Sequence, residues 1–371
     1  MKRLLTLDGG GIRGIFSLQI VAKMEAFFRL FRKNPDLVLA DEFDGFAGTS
    51  TGANIAAGLA WGMTVSEIES LYLEHGPVIF SRAPWYRRFH SKYRAESIAN
   101  FFRGLFCEKN QQPALLGSSQ IRRLLIMVMR NATTGSTWPL SNHSLSLFND
   151  RKRDDCNLTI PLWQLVCASA AAPSFFPPQE MDIGSERHLF LDGAVSPFNN
   201  PALMAMLMVT LPGYRIGWPT GRNRLHVVSV GTGRLRSRLA DRRAKSVNLL
   251  RQLEHVVPAL IGSVSQQQDL VCRIMGDCLY GELIDSEVGT LNQPTLLDQD
   301  HQCYSYVRYD QDLDRLDSRK LSSRETKIDN LELMPMLREI GREYANAHVK
   351  FEHLWPRGQV PLVGRPDQIV S

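Results

Sequence analysis

The sequence lacks the cysteine patterns that would indicate a disulfide-stapled or zinc-binding protein. It has only six cysteines in 371 residues, no two of them form a Cys-x-x-Cys pair, and no histidine lies at zinc-finger spacing from them. A chain of this length buries enough apolar surface to fold without covalent or metal support. We therefore expect reduced thiols, as in cytoplasmic proteins, and neither a metal ion nor a cofactor.

Long apolar runs are also absent. The most apolar stretch, residues 201–211, is about half the length of a membrane-spanning helix. The chain opens with Met-Lys-Arg, as a signal peptide can. However, Asp8 ends the apolar stretch that follows, which is shorter than the roughly 7–15 residues that a signal peptide needs. We expect a soluble cytoplasmic protein whose membrane contact is peripheral.

The chain has little net charge for its size, +5 from 43 Lys and Arg against 38 Asp and Glu. Residues 82–103 have six basic side chains against one acidic, and residues 213–251 have ten against one, so the rest of the chain is acidic overall. The acidic remainder excludes a uniformly basic nucleic-acid coat, and a hydrophobic content of 44% excludes a disordered protein. We expect no nucleic-acid polymer as a partner.

Two strand–turn–helix units are predicted at the start of the chain. They comprise a strand at 2–7, a turn at 8–14 and a helix at 15–31, then a strand around 43–47, a turn at 48–52 and a helix at 53–61. This alternation is typical of a parallel sheet with crossover helices, and therefore of an α/β fold.

The rest of the chain continues this α/β pattern. The other predicted elements are strands at 121–129 and 225–230 and helices at 246–261 and 330–347. No internal repeat or linker divides the chain. We therefore expect one domain over residues 1–350 and an irregular tail over residues 351–371.

The first candidate site is the glycine-rich turn Asp8-Gly9-Gly10-Gly11-Ile12-Arg13-Gly14. Backbone N–H groups at such a helix start bind an anion, either a phosphate or a developing oxyanion. The turn also matches G-x-G-x-x-G, a dinucleotide fingerprint that is weak alone. A nucleotide-cofactor oxidoreductase would need an acid at a strand end about 20 residues later, and Asp36 instead follows Asn-Pro in a turn. A tight turn without a ligand is the other alternative.

The second candidate site, Gly48-Thr49-Ser50-Thr51-Gly52, matches G-x-S-x-G between an apolar strand and a helix of small residues. That is the sequence context of a nucleophile elbow, which exposes the serine at a sharp turn. A helix N-cap is the alternative, since Ser and Thr are good caps. No histidine lies in a motif typical of a base for this serine. His226 begins a predicted buried strand, where we expect it to pack.

The third candidate site, Asp192-Gly193-Ala194, offers a carboxylate after the short apolar strand at 189–191. An Asp-Gly pair at a strand end is often only a turn. A carboxylate can act as a general base without a histidine if it reaches the serine hydroxyl directly, at about 2.6–3.2 Å. Burial would raise its basicity.

Together, these sites resemble the patatin-like phospholipases. Five segments occur in the order of that family: residues 8–14 (DGGGIRG), 43–52 (FDGFAGTSTG), 167–178 (CASAAAPSFFPP), 192–194 (DGA) and 227–233 (VVSVGTG). The resemblance covers residues 3–235 and extends less strongly to about residue 350. It implies a three-layer α/β/α fold with a mostly parallel central sheet and a strand–elbow–helix unit.

The resemblance also implies the chemistry. Ser50 would be the nucleophile and Asp192 its base, while Gly9, Gly10 and Gly11 would form the oxyanion hole through their N–H groups. The substrate would be an acyl ester of a membrane glycerophospholipid, cleaved through an acyl-enzyme intermediate. Calcium would not be needed, because backbone donors hold the oxyanion. Arg13 would support the glycine loop or bind a lipid phosphate, and a solvated or purely structural arginine is the alternative.

More specifically, the chain resembles bacterial effector phospholipases that a cyclic dinucleotide activates in anti-phage defence. This implies a cytoplasmic enzyme that acts at the inner face of the membrane, and it leaves the oligomeric state open. The two basic segments would then contact anionic lipid or hold the nucleotide phosphates through arginine pairs. A solvated loop with snorkelling side chains is the alternative for residues 82–94. The alternatives are a constitutive lipase of lipid metabolism and a catalytically inactive protein that binds lipid or nucleotide.

Overall fold

The computed structural model describes residues 1–79, 95–173, 175–234, 249–292, 296–313 and 330–361. The strands in these ranges are β1 (Lys2–Leu7), β2 (Gly45–Thr49), β3 (Leu124–Asn131), β4 (Ser136–Ser141), β5 (Gln179–Ile183), β6 (Glu186–Asp192), β7 (Leu225–Val230), β8 (Asp277–Tyr280) and β9 (Ser305–Tyr309). The α-helices are α1 (Gly14–Arg32), α2 (Thr51–Trp61), α3 (Val65–Ile79), α4 (Ala95–Leu105), α5 (Leu162–Ser169), α6 (Ala202–Thr210), α7 (Leu249–Met275) and α8 (Met334–His348).

The strands form one mixed sheet with the order β5-β6-β3-β2-β1-β7-β9-β8, and β4 also pairs with β3. The run from β3 to β8 is parallel, whereas β4, β5 and β6 join by antiparallel pairing. Every residue of β2 and β7 is buried, as expected for strands that are covered on both faces. The mostly parallel sheet predicted from the sequence is confirmed.

Helices cover both faces of this sheet. Along β1, Leu5 and Leu7 pack in one core cluster and Leu4 packs in the other, because successive strand side chains point to opposite faces. The first cluster includes side chains of α1, α2, α5 and α8, and the second includes side chains of α6 and α7. This three-layer arrangement confirms the predicted α/β/α fold class.

One predicted helix differs substantially in length from the structure. The helix expected at 246–261 is observed as α7, Leu249–Met275. Its apolar pattern stops at Ile261, and a Ser- and Gln-rich stretch follows. The helix nevertheless continues, because its second half packs into the protein and buries Gln268, Asp269 and Cys272. Tertiary packing therefore extends a helix that periodicity alone would end.

The segment predicted as a tail, residues 351–371, begins with a short 3₁₀ turn at Phe351–Leu354. The Phe351 ring lies 6.2 Å from that of Phe27 and 5.2 Å from that of Phe31, centre to centre, on α1. Residues 80–94, 235–248 and 362–371 lie outside the described ranges. Much of the two basic segments, 82–103 and 213–251, is therefore not described. Among the helices that are described, none is long and apolar enough to cross a membrane.

The carboxyl ends of the central strands meet at one edge of the sheet. The chain leaves β1 at Asp8, β2 at Ser50, β7 at Gly231 and β9 at Asp310. Ligands bind in the crevice at this edge in open α/β sheets. The fold therefore places the glycine-rich turn and the predicted elbow side by side.

Candidate active site

Ser50 lies in a sharp turn between β2 and α2. Its backbone has φ +55° and ψ −125°, a conformation that non-glycine residues rarely adopt. A Cβ atom on Gly48 would lie 2.2 Å from the carbonyl oxygen of Gly52, and one on Gly52 would lie 2.1 Å from that of Leu7. Only glycine fits at these two positions, so the G-x-S-x-G pattern has the geometry of a nucleophile elbow.

The hydroxyl of Ser50 is hydrogen-bonded directly to Asp192, the carboxylate of the third predicted site. Its Oγ donates a hydrogen bond of 2.6 Å to Oδ2 of Asp192, 142 residues away in sequence. The backbone N–H of Ser50 donates to Oγ of Ser169 at 2.9 Å, and that hydroxyl donates to the carbonyl of Val128 at 2.7 Å. The strained elbow is therefore held by α5 and β3 as well as by its own glycines.

Asp192 is buried at the end of β6, and no cationic side chain of the described residues pairs with it. Its Oδ1 accepts from the N–H of Ala194 at 2.7 Å, and its own N–H donates to the carbonyl of Ala171 at 3.0 Å. Burial raises the pKa of Asp192 to about 6, and the hydrogen bonds from Ser50 and Ala194 oppose that shift. The carboxylate is thus fixed in place and more basic than a free aspartate.

The glycine-rich turn lies against the elbow. The N–H of Gly9 donates to the carbonyl of Asn199 at 3.0 Å, and a Cβ on Gly9 would come within 3.2 Å of the Ser50 Cβ. Within the described residues, the N–H groups of Gly10 and Gly11 donate no hydrogen bond. The turn therefore offers two unengaged backbone donors, while the third ties the loop to the chain after β6.

A buried ion cluster holds the start of this turn. Arg308 on β9 donates to both carboxylate oxygens of Asp8, at 2.8 and 2.6 Å, and also to Asp310 at 2.9 Å and Ser229 at 2.8 Å. Asp310 in turn accepts from the N–H of Gly233 at 3.1 Å. The cluster connects the carboxyl ends of β1, β7 and β9 beneath the turn.

Arg13 points back into the protein. One Nη donates to the carbonyl of Gly233 at 2.9 Å, and Nε donates to that of Gly10 at 3.4 Å. Burial lowers the pKa of Arg13, while the charges of Asp310 and Asp8 act in the opposite direction. These contacts favour a role of Arg13 in supporting the glycine loop over one in binding a lipid phosphate.

The structure brings the glycine-rich turn, the elbow and Asp192 into one site, whereas His226 and Asp36 lie away from it. His226 is buried at the amino end of β7, where its ring bonds Oγ of Ser305 at 2.7 Å and the carbonyl of His353 at 3.1 Å. The packing predicted for it is confirmed. Asp36 is exposed in the turn after α1, well before β2 begins at Gly45, so it does not end a strand.

Three contributors to the site carried no separate prediction. Ser169 lies in the segment 167–178 that was part of the family resemblance, so a signal for it existed. Asn199 and Arg308 stand in no recognisable motif. Over the described ranges, no three His, Cys, Asp or Glu side chains gather in a way that could hold a metal ion.

The family model for patatin-like phospholipases matches residues 5–206. Patatin-16 of Solanum tuberosum is 27% identical over 252 residues, which cover 63% of this chain and 61% of that protein. Patatin-like protein 1 of Arabidopsis thaliana is 27% identical over 327 residues, which cover 77% of each chain.

A search of solved structures finds VipD from Legionella pneumophila, with a TM-score of 0.37 and 13% identity over 92% of this chain and 67% of that one. The chain spans only about three fifths of the length of Patatin-16. The family model, however, covers more than half of this chain and includes the elbow, the glycine-rich turn and Asp192. The chain belongs to the patatin-like phospholipase family, a family of lipid acyl hydrolases.

Proposed function

We propose that the protein is a serine lipid acyl hydrolase that cleaves acyl esters of membrane glycerophospholipids. The observation that carries this proposal is the 2.6 Å hydrogen bond from Ser50 to Asp192, beside the two unengaged N–H groups of the glycine-rich turn. A nucleophile, a base and oxyanion donors at one point are the minimum set for acyl transfer.

In the first half-reaction, Asp192 accepts the Ser50 proton as Oγ attacks the ester carbonyl carbon. The carbonyl oxygen becomes an oxyanion that faces the N–H groups of Gly10 and Gly11. When the tetrahedral intermediate collapses, the bond to the lysolipid oxygen breaks and that oxygen takes the proton from Asp192. The products are an acyl-enzyme ester on Ser50 and a lysolipid.

In the second half-reaction, Asp192 takes a proton from water, and the hydroxide attacks the acyl-enzyme carbonyl. Collapse releases the fatty acid and returns the proton to Ser50. A carboxylate with a pKa of about 6 is mostly ionised at pH 7, yet it is a stronger base than free aspartate. Each oxyanion donor contributes roughly 3 kcal/mol of transition-state stabilisation in serine hydrolases.

The three glycines have different roles in this proposal. The N–H groups of Gly10 and Gly11 bind the oxyanion. Gly9 keeps its N–H on Asn199 and leaves space beside Ser50, since a Cβ there would lie 2.4 Å from Oδ1 of Asn199. Gly9→Ala should therefore displace the loop rather than remove a donor.

The test is fatty-acid release from phospholipid vesicles by wild type, Ser50→Ala and a control, Ser66→Ala. Ser66 is exposed on α3, so its substitution should leave the rate unchanged. Ser50→Ala should abolish release while the circular dichroism spectrum and melting temperature stay the same. Retained hydrolysis in Ser50→Ala would overturn the proposal.

We further propose that the enzyme is a bacterial anti-phage effector that a cyclic dinucleotide activates at the inner face of the membrane. Support comes from the sequence resemblance and from the two basic segments at 82–103 and 213–251, which suit phosphate groups or anionic lipid. Hydrolysis should rise on addition of one member of a panel of cyclic dinucleotides. Full activity without any addition would contradict activation.

The alternative within the same chemistry is a constitutive lipase, which the assembled Ser50–Asp192 hydrogen bond favours. The nucleotide panel separates the two. An inactive binding protein would fail to react with a fluorophosphonate under every condition of that panel, although the lipid or nucleotide would still bind.

A further inference from the structure

Helix α7 is longer than the sheet on which it packs. Its 27 residues span about 40 Å, whereas the six residues of β7 span about 20 Å. α7 ends just before β8, whose first residue, Asp277, pairs with Ser305 at the amino end of β9. The helix therefore runs from the carboxyl edge of the sheet to the amino edge, and its first half extends past the edge where Ser50 lies.

The two halves of α7 have opposite surroundings. The second half buries polar side chains, including the Asp269–Arg273 ion pair. In the first half, Val256, Val257 and Leu260 are 44%, 53% and 59% exposed. No charged residue occurs from 256 to 268. These three residues, near the amino end of α7, therefore form an uncharged apolar stretch in contact with solvent, and such a stretch marks an interaction surface.

The apolar stretch of α7 lies next to the candidate active site. Nδ2 of Asn199 donates to Oγ of Ser265 on α7 at 3.3 Å, and the carbonyl of Asn199 accepts from the N–H of Gly9 beside Ser50. Leu260 comes five residues before Ser265, so it lies about 7.5 Å further along the helix axis, away from the sheet. The apolar end thus projects outward from the rim of the site.

We propose that Val256, Val257 and Leu260 form a lipid-docking surface that enters the headgroup and acyl boundary of a phospholipid bilayer. This inference rests on the proposed function, since it places the bilayer that supplies the ester next to Ser50. Apolar helix faces bind at such boundaries, more strongly when basic residues accompany them. The sequence that precedes this surface, residues 242–255, has four basic residues and one acidic residue, Glu254, and this net positive charge matches an anionic bilayer.

The chain offers a matched control surface. Leu145 and Leu147 are 66% and 47% exposed, so they are as accessible as the α7 residues. They follow β4, which ends at Ser141 opposite Ile126 on β3, toward the amino edge of the sheet. They therefore lie at the end of the molecule opposite Ser50, where a bilayer engaged by the active site does not reach.

The experiment is flotation with vesicles of pure phosphatidylglycerol, and it uses a Ser50→Ala background so that the lipid stays intact. Val257→Gln/Leu260→Gln should weaken vesicle partitioning by about tenfold or more, because two apolar side chains no longer leave water. Leu145→Gln/Leu147→Gln should leave partitioning unchanged. Equal partitioning of the two double variants, or no partitioning of the parent, would overturn the inference.

Two further measurements separate this inference from its alternatives. With Ser50 intact, Val257→Gln/Leu260→Gln should lose vesicle hydrolysis but keep hydrolysis of p-nitrophenyl butyrate, a soluble ester. If the substitutions instead change the oligomeric state by light scattering and leave partitioning intact, the surface binds a second copy and the lipid assignment is wrong. If wild type cleaves no ester at all, the proposed function fails, while flotation still decides the docking surface.

Discussion

Two buried aspartates lie near the same glycine-rich turn, and their partners differ. Among the residues that the structure describes, Asp192 accepts only from a neutral hydroxyl and an amide, whereas Asp8 accepts two bonds from the guanidinium of Arg308. Burial raises the pKa of both carboxyls, and at Asp8 the charge of Arg308 only partly opposes that rise. Protonation of Asp8 would break its ion pair with Arg308, whereas protonation of Asp192 breaks no ion pair among the described residues. The partner therefore decides which aspartate can act as a base and which serves as a structural link.

The largest expected effect is the loss of ester hydrolysis when the proposed base, Asp192, is replaced. Asp192→Asn keeps the shape and the Ala194 contact but cannot accept the Ser50 proton. We expect kcat for ester hydrolysis to fall by at least ~10⁴-fold, as when other serine hydrolases lose a catalytic group. The free energy of unfolding at pH 7 should not decrease, because an uncompensated buried charge is removed. A residual rate within tenfold of wild type would contradict the role of Asp192.

The next effect concerns stability at Asp8. Arg308→Met leaves Asp8 buried without its cation and leaves Asp310 with the more distant Arg234, whose Nε lies 3.7 Å from Oδ2, so the free energy of unfolding should fall by about 3–5 kcal/mol. Urea unfolding at pH 7 measures this. Arg122→Met is the control, because Arg122 and its partner Asp41 are both solvent-exposed and should contribute less than about 1 kcal/mol. Similar losses in the two variants would remove the distinction between a buried link and a surface pair.

A smaller effect is expected at the support of the elbow. Ser169→Ala leaves the Ser50 N–H and the Val128 carbonyl without their partner, which costs about 1–3 kcal/mol. Because the strained Ser50 backbone depends on that contact, kcat should fall by roughly tenfold while KM changes little. Steady-state kinetics on a soluble ester test this. A change in KM alone would indicate that Ser169 acts on substrate binding.

The smallest effect is a pH dependence. If ionised Asp192 is the base, kcat/KM should be constant above neutrality, fall to half near pH 6 and drop about tenfold for each further unit of acid. The direction follows from protonation, which removes the acceptor for the Ser50 proton. An apparent pKa near the ordinary aspartate value of 3.8 would contradict the effect of burial.

The sequence predicts the parts of the site whose residues are adjacent in the chain, and it does not predict contacts between residues that are far apart in the chain. The elbow and the glycine-rich turn are each encoded within a few adjacent residues between a strand and a helix, so their motifs were visible. The sequence around Asp192 is equally typical of a turn, and only the family resemblance pairs this residue with Ser50. Arg308 reaches Asp8 across 300 positions in sequence, and no local pattern marks such a contact.

Helix α7 shows the same limit for secondary structure. Its interior contains Pro258, and a polar stretch follows Ile261, both of which normally end a helix. The helix continues because one side of its second half is buried, where Asp269 is paired to Arg273 by two hydrogen bonds. The local sequence predicts neither the contacts of these buried residues nor the solvent exposure of Val256, Val257 and Leu260.

The most direct test of the central claim is the rate and position of fluorophosphonate labelling, followed by peptide mapping. We expect one adduct on Ser50 in wild type, the same adduct in folded Asp8→Asn, and labelling at least ~10³-fold slower in Asp192→Asn. Labelling of a different serine, or an equal rate in Asp192→Asn, would contradict direct activation of Ser50 by Asp192.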